Sequence, residues 1–324
     1  MSEFAVSVII PGYNAAPFLQ CAVDSALLQP EVQEVILVDD GSTDGSYTVA
    51  QRLQESHPGR VRLFAHPDRG HRGPGASRNL GLEKARSPFI AFLDADDWYL
   101  PGYFKFDKEA FGQDPGLGIV RHPLGNGWDP NDPAQQWFLD YTGKTKAHAR
   151  FHTRVDNLDP KDYFHQLYPM GQISSGIADT LTIRRSLIDK IGRFPERDWA
   201  EDTTFHLKLA AVGKVAFANM DEPLAIRRIH ADNLSRHKSR LFAARVDATG
   251  QALLDVMDVA KEQQLSASIK VALHRGWIRY ARQYRGLRSY AMLWKWPWAL
   301  LYPRLAWSYA RLYRDIMRQM LRKK

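Results

Sequence analysis

The chain has 324 residues, 44% of them hydrophobic and 25% charged, and a formal net charge of +8. These values describe a globular protein large enough for one substantial core or two smaller ones, and they exclude a disordered or fibrous chain. Its single cysteine, Cys21, excludes an internal disulfide framework and fits a reducing compartment.

Ala5–Ile10 is a short, β-branched apolar run that predicts a first strand; it lacks the basic segment and long apolar stretch of a signal peptide. Further strands are predicted at Glu34–Val38, Val61–Ala65 and Phe89–Leu93, with helices at Pro17–Leu28, Ser46–Glu55 and Gly75–Ala85. This alternation is the signature of an α/β fold with a mostly parallel central sheet flanked by helices. From about Gly112 to Asp159 the periodicity weakens among Gly, Pro, Asn and Trp, which predicts a second lobe with long loops. Strands return at Thr180–Ile183, Lys214–Ala218 and Leu224–Ile229, with helices around Ser186–Ile191 and at Asp202–Val212. Beyond Ser239 the pattern is almost all helical.

Two of the predicted strands end in acids. Phe89–Leu93 runs into Asp94-Ala95-Asp96-Asp97, and Glu34–Val38 runs into Asp39-Asp40-Gly41-Ser42-Thr43-Asp44. Like charges this close repel one another, and a divalent cation with oxygen ligands, Mg²⁺ or Mn²⁺, is one way to hold them together. Asp also makes turns and caps helices, so each acidic turn alone has an ordinary structural reading.

Taken in order, Val8-Ile9-Ile10-Pro11-Gly12-Tyr13-Asn14, Val38-Asp39-Asp40-Gly41-Ser42-Thr43-Asp44, Ala76-Ser77-Arg78-Asn79-Leu80-Gly81 and Asp94-Ala95-Asp96-Asp97 resemble glycosyltransferase family 2. The resemblance continues through Trp199-Ala200-Glu201-Asp202 and Arg228-Ile229-His230, and covers roughly residues 4–237. It implies the GT-A fold, a nucleotide-activated sugar donor, a divalent cation (Mn²⁺ or Mg²⁺) and inversion at the anomeric carbon. It further implies that Pro11 and Tyr13 line the base pocket, that Asp40 accepts a hydrogen bond from the base ring N–H, and that Arg78 lies near the diphosphate. By the same resemblance Asp94 reaches the ribose, Asp96 and His230 hold the metal, and Asp202 is the catalytic base. A ring N–H flanked by carbonyls suits uracil or thymine, so a UDP-sugar is the first expectation and a dTDP-sugar the second. Asp97 is left between a second metal ligand and a helix cap. The implied organisation is a glycosyltransferase domain over 1–238, with a nucleotide-binding half (1–111) and an acceptor and catalytic half (112–238), followed by a helical extension over 239–324.

That extension carries the net charge. Residues 261–324 hold 15 Lys and Arg against 2 acids, whereas residues 1–260 hold 29 against 34. Trp277, Trp294, Trp296, Trp298 and Trp307 interleave with the basic residues, yet the longest uncharged stretch near the end, Trp296–Pro303, has eight residues and cannot span a bilayer. Helices of this kind suit an anionic membrane surface, so residues 289–324 are expected to hold the protein on the cytoplasmic face of a membrane, close to a glycan or lipid-linked acceptor. A core-packing helical cap is the plainer reading. A nucleic-acid-binding protein also fits basic and aromatic interleaving, but the motif-bearing part is acidic, so no nucleic-acid partner is expected. A dinucleotide-dependent oxidoreductase would need Gly-x-Gly-x-x-Gly after the first strand, which Pro11–Ala16 does not supply. A non-catalytic homologue that binds sugar nucleotides is the remaining alternative.

Overall fold

The computed structural model describes residues 4–128, 159–167, 178–197, 200–218, 221–230, 251–259, 262–263 and 265–284. The first part alternates as the apolar runs predict: β1 (Val6–Gly12), α1 (Leu19–Leu27), β2 (Val32–Asp39), α2 (Ser46–Ser56), β3 (Val61–Ala65), α3 (Pro74–Lys84) and β4 (Phe89–Phe92). There follow β5 (Trp98–Tyr99), α4 (Lys105–Gln113), β6 (Leu117–Arg121), β7 (Leu124–Trp128), α5 (Tyr163–Gln166), β8 (Leu181–Arg184), α6 (Arg185–Ile191), α7 (Glu201–Val212), β9 (Lys214–Phe217) and β10 (Ala225–Ile229). Two further helices, α8 (251–259) and α9 (Ala267–Tyr284), lie in the C-terminal region.

The main sheet has the order β3-β2-β1-β4-β8-β6-β9, and a smaller one the order β5-β10-β7. β3, β2, β1 and β4 run parallel, and β8 is antiparallel to both β4 and β6. Strands buried on both faces sort their side chains by alternation. Ile9, Ile36, Val38, Ile90 and Phe92 face one core with α6 and α7, while Val8, Ile10, Val35, Leu37 and Ala91 face the other with α1 and α4. Each of these Val, Ile, Leu and Phe side chains contributes about 1.5–3 kcal/mol by leaving water. α1 buries Leu19, Ala22, Val23 and Ala26, the spacing of a helix with one apolar stripe. α3 lies close over β1, where a Cβ on Gly81 would collide with Ile9 Cγ2.

The region after Gly112 differs from the loop-rich expectation. β6 is a fully buried strand inside the main sheet, between β8 and β9, and β7 joins the smaller sheet. Its signal is short: Leu117-Gly118-Ile119-Val120-Arg121 is broken by a glycine and closed by an arginine, yet Arg121 is itself buried and hydrogen-bonded to Tyr163 Oη. Residues 129–158 lie outside the described residues, as does the tail from 285, which includes the basic, Trp-rich 289–324. The helical extension is described over α8 and α9, where Leu253, Val256, Met257 and Leu273 join the core beneath α7. No helix among the described residues is long and apolar enough to cross a membrane.

Candidate functional site

β1 sits between β2 and β4, so the chain winds outward in one direction from β1 to β3 and in the other to β4. In a doubly wound sheet, the crevice beyond the carboxyl ends of strands at such a reversal is where ligands bind. Pro11 is near the end of β1, with Tyr13 just past it; Asp40 follows β2; Asp94 and Asp96 follow β4. Arg78 lies on α3, Asp202 in the first turn of α7, and His230 one residue past β10. These residues form three groups: Asp96 with His230, Arg78 with Asp94 and Asp202, and Tyr13 and Asp40 each against His71. Pro11 stays in the ladder opposite Val38.

The turn Asp94–Asp97 is gripped from both sides by strand register. β8 pairs antiparallel to β4 with Ala91 opposite Thr182, and the same register carried onward sets Asp94 opposite Asp179. The Asp94 amide accordingly donates to Asp179 Oδ1 at 2.9 Å. On the other side β10 pairs antiparallel to β5 with Ile226 opposite Trp98, which brings Arg228 to the turn. The Arg228 amide donates to Asp97 Oδ1 at 2.8 Å, and its Nε donates to the Asp96 carbonyl at 2.9 Å. The guanidinium rests over the Trp98 ring, 4.6 Å from its centroid. His230 then stands with Nε2 2.9 Å from Asp96 Oδ2 and its ring 4.7 Å from that of Phe18.

The four acids of this cluster fall into two classes. Asp97 and Asp179 are buried, and Asp179 is pushed up to about 8 by burial and then by the charge of Asp94, while its hydrogen bond with Asp97 opposes the rise. Asp97 is raised well above the carboxylate range, by burial first and by Asp96 and Asp179 next. Two buried carboxyls in contact share a proton rather than ionise together. Asp94 and Asp96 instead open to the crevice, their side chains 40% and 30% exposed. Oxygens of Asp94, Asp97 and Asp179 lie within 4.8 Å of one another, a spacing a cation could bridge. Metal ligands must be deprotonated, so a cation bound there would displace the proton that burial favours on Asp97 and Asp179. Asp96 and the imidazole of His230 form a second, more exposed pair of ligand types that suit a divalent cation.

Arg78 ties this cluster to α7. It is buried, donating from one guanidinium nitrogen to Asp94 Oδ1 at 2.8 Å and from the other to Glu201 Oε1 at 3.0 Å. Burial alone would lower its pKa, but Asp94, Glu201 and Asp202 raise it further than burial depresses it. Burial raises the carboxyl of Asp202, Arg78 draws it back down, and the Thr203 amide donates to Asp202 Oδ1 at 2.6 Å. Glu201 is pushed up to about 7, by burial and then by Asp202, with Arg78 opposing. Trp199, the first residue of that motif, lies outside the described residues.

Asp40 is buried and enclosed by the loop between β3 and α3. The amides of Arg72 and Gly73 donate to its two carboxylate oxygens at 2.7 and 2.8 Å, and His71 Nδ1 lies 2.9 Å from Oδ2. The His71 ring in turn lies on that of Tyr13, centroid to centroid 4.1 Å.

Asp179 carries no signal in the sequence. It is an isolated acid in Ala178-Asp179-Thr180, and the antiparallel pairing of β8 with β4, which begins at Thr182, gives it a place in the site. Glu201 and Arg228 are legible as parts of motifs, but not their work of holding Arg78 and the acidic turn.

The model of Glycosyl transferase family 2 matches residues 7–192, and the chain belongs to that family. The succinoglycan biosynthesis protein ExoU of Rhizobium meliloti is 44% identical over 97 residues, covering 30% of this chain. That match spans 28% of the relative's own length. Among solved structures, residues 1–349 of TarS from S. aureus in complex with UDP superpose with a TM-score of 0.58 at 17% identity, covering 99% of this chain and 92% of that one. The mannosyltransferase PcManGT of Pyrobaculum calidifontis, solved with GDP-Man and Mn²⁺, gives a TM-score of 0.51 at 19% identity, covering 98% and 88%. At these identities the likeness is one of fold, the GT-A arrangement of a large, mostly parallel sheet flanked by helices.

Proposed function

We propose that this chain is an inverting glycosyltransferase that moves a sugar from a nucleotide-sugar, a UDP-sugar in the first instance, to a hydroxyl of a glycan or lipid-linked glycan during surface polysaccharide synthesis. The observation that carries this reading is Arg78, which joins Asp94 at the donor crevice to the Glu201-Asp202 helix end. One buried cation thereby sets the distance between a place for a leaving diphosphate and a carboxylate suited to take a proton. The succinoglycan, UDP and GDP-Man relatives support the class of donor and product without choosing among them.

In the proposed reaction Asp202 takes the proton of the acceptor hydroxyl. The hydroxyl oxygen bonds to the anomeric carbon as the bond from that carbon to the diphosphate oxygen breaks, and the nucleoside diphosphate leaves on the opposite face. Arg78 keeps Asp202 able to accept that proton, while partial burial keeps it basic enough to do so. Asp96 and His230 would hold a Mn²⁺ or Mg²⁺ ion, which when bound supplies positive charge to the departing diphosphate. Asp94 would meet the ribose, and Tyr13, Pro11 and Asp40 the base.

The domain division at 238 belongs to the same reading, as does attachment of residues 289–324 to an anionic membrane surface on the cytoplasmic side. Binding to vesicles containing anionic lipid, lost on truncation before residue 289 and not matched by oligonucleotides, tests that attachment. The donor site is tested by thermal shift with UDP, dTDP and GDP in the presence and absence of Mn²⁺ or Mg²⁺. A metal-dependent rise with one of them is expected, and no response to any would remove the donor-site reading.

A further inference from the structure

His71 meets two surfaces at once. Its ring lies on Tyr13 with centroids 4.1 Å apart and planes 35° apart, and its Nδ1 is 2.9 Å from Asp40 Oδ2 and 3.3 Å from the Asp40 carbonyl oxygen. A carboxylate is acceptor-only, so the imidazole donates its Nδ1–H. A flat ring on Tyr13 that gives an N–H to Asp40 is the arrangement expected of the donor's base in the reading above, on which this inference rests. We infer that His71 occupies the nucleobase position, and that the donor binds by exchanging its base for this imidazole.

The surrounding loop permits that exchange with little rearrangement. Asp40 offers about four acceptor positions. The Arg72 and Gly73 amides fill two, and His66 Nε2 approaches a third at 3.5 Å. These contacts hold the carboxylate aimed at the crevice whether or not His71 is present. The loop backbone is itself held against Gly41, where an added Cβ would lie 2.7 Å from the Arg69 carbonyl oxygen and 2.9 Å from the His71 amide. Arg69, at a φ of 50°, lays its guanidinium 4.0 Å from the Tyr47 ring centroid. His71, by contrast, has a side chain 53% exposed, and the Tyr13 residue is 47% exposed. A rotation of His71 about its own side-chain bonds frees both the Tyr13 face and one acceptor position of Asp40, while the backbone of the loop stays in place. The residue thus sets donor affinity by competition: every bound base replaces a contact already made.

The test compares wild type with His71→Ala by calorimetric titration of UDP, dTDP and GDP with Mn²⁺, and by titration of pyrophosphate, which lacks a base. Loss of one hydrogen bond and one ring contact from the competing state is expected to tighten binding of the accepted nucleotide roughly 3–10-fold. Pyrophosphate affinity is expected to stay unchanged, since no base is exchanged. His71→Phe, which keeps the ring without the N–H, is expected to fall between the two. Equal or weaker nucleotide binding by His71→Ala would overturn the inference while leaving the donor reading intact, because wild type would still bind. If none of the three nucleotides binds either protein, the donor reading fails and this inference fails with it.

Discussion

The guanidinium of Arg78 lies 2.8 Å from Asp94 Oδ1, so an arginine buried on α3 holds an aspartate that opens to the crevice after β4. Its other nitrogen is 3.0 Å from Glu201 Oε1, at the start of α7. Three segments far apart in the chain are fixed to one planar group whose two-pronged geometry a lysine cannot reproduce.

Arg78→Met should therefore destabilise the protein and uncouple the acidic turn after β4 from the start of α7. Removing one partner of a buried ion pair costs about 3–5 kcal/mol, and the low end applies because the Asp94 side chain is 40% exposed and screened by water. Urea unfolding should show a loss of roughly 3 kcal/mol, and transfer activity should fall at least tenfold. Arg78→Lys should recover part of the stability but little of the activity. Full activity in the lysine variant would show that the bidentate geometry is not needed.

Asp202→Asn should abolish most transfer while leaving donor binding in place. A positioned general base contributes typically 10²–10⁴-fold, so kcat is expected to drop about that far with the donor KM nearly unchanged. The Asn side chain keeps an oxygen for the Thr203 amide, which donates to Asp202 Oδ1 at 2.6 Å, so the start of the helix should survive. A variant with wild-type kcat would assign the proton transfer to another group.

Much of this arrangement is legible in the order of residues along the chain. The apolar runs ending in Asp39-Asp40 and Asp94–Asp97 place two acidic turns at one edge of a parallel sheet, because parallel strands share their carboxyl ends. Arg78, Asp202 and His230 are legible through ordered motifs. What is not legible depends on strand pairing. Asp179 enters the site through antiparallel register between β8 and β4, and no local pattern in Ala178-Asp179-Thr180 encodes which strand β8 will choose. The same holds for Arg228, whose place in Arg228-Ile229-His230 does not tell that it braces the Asp96 carbonyl and Asp97 carboxyl. β6 is hidden for a different reason: its arginine is buried on Tyr163, against the usual meaning of a charged residue at the end of a short run.

Glu201 supplies a prediction about pH. Its carboxyl is raised from 4.5 to about 7, first by burial and then by Asp202. A folded-state value above the unfolded one means that folding takes up a proton in this range, so the contribution to stability is full below about pH 4.5 and is lost as pH rises to 7 and beyond. Glu201→Gln mimics the protonated form and has no such loss. The difference in melting temperature, variant minus wild type, should therefore climb by a few degrees between pH 5 and pH 8, even if the variant starts lower through its weaker contact with Arg78. A difference that stays flat across that interval would assign Glu201 an ordinary carboxyl.

The division of the acidic cluster can be tested through metal affinity. Asp96 and His230, 2.9 Å apart and reaching the crevice, are expected to bind Mn²⁺, whereas burial favours the protonated form of Asp97 and Asp179. Asp96→Ala and His230→Ala should each weaken Mn²⁺ binding at least tenfold, read as loss of the Mn²⁺-dependent rise in melting temperature with UDP present, since a ligand stabilises according to its saturation of the folded state. Asp97→Asn should behave differently, because an amide resembles the protonated carboxyl and keeps an oxygen for the Arg228 amide, now 2.8 Å away. Asp179→Asn should do the same for the Asp94 amide at 2.9 Å. Both asparagine variants are expected to retain most of the Mn²⁺ response, and treatment with EDTA should lower the melting temperature of wild type and of these two alike. If Asp97→Asn lost as much of the response as Asp96→Ala, the buried pair would be a metal ligand set, and the proton assigned to it would have to leave when the ion binds.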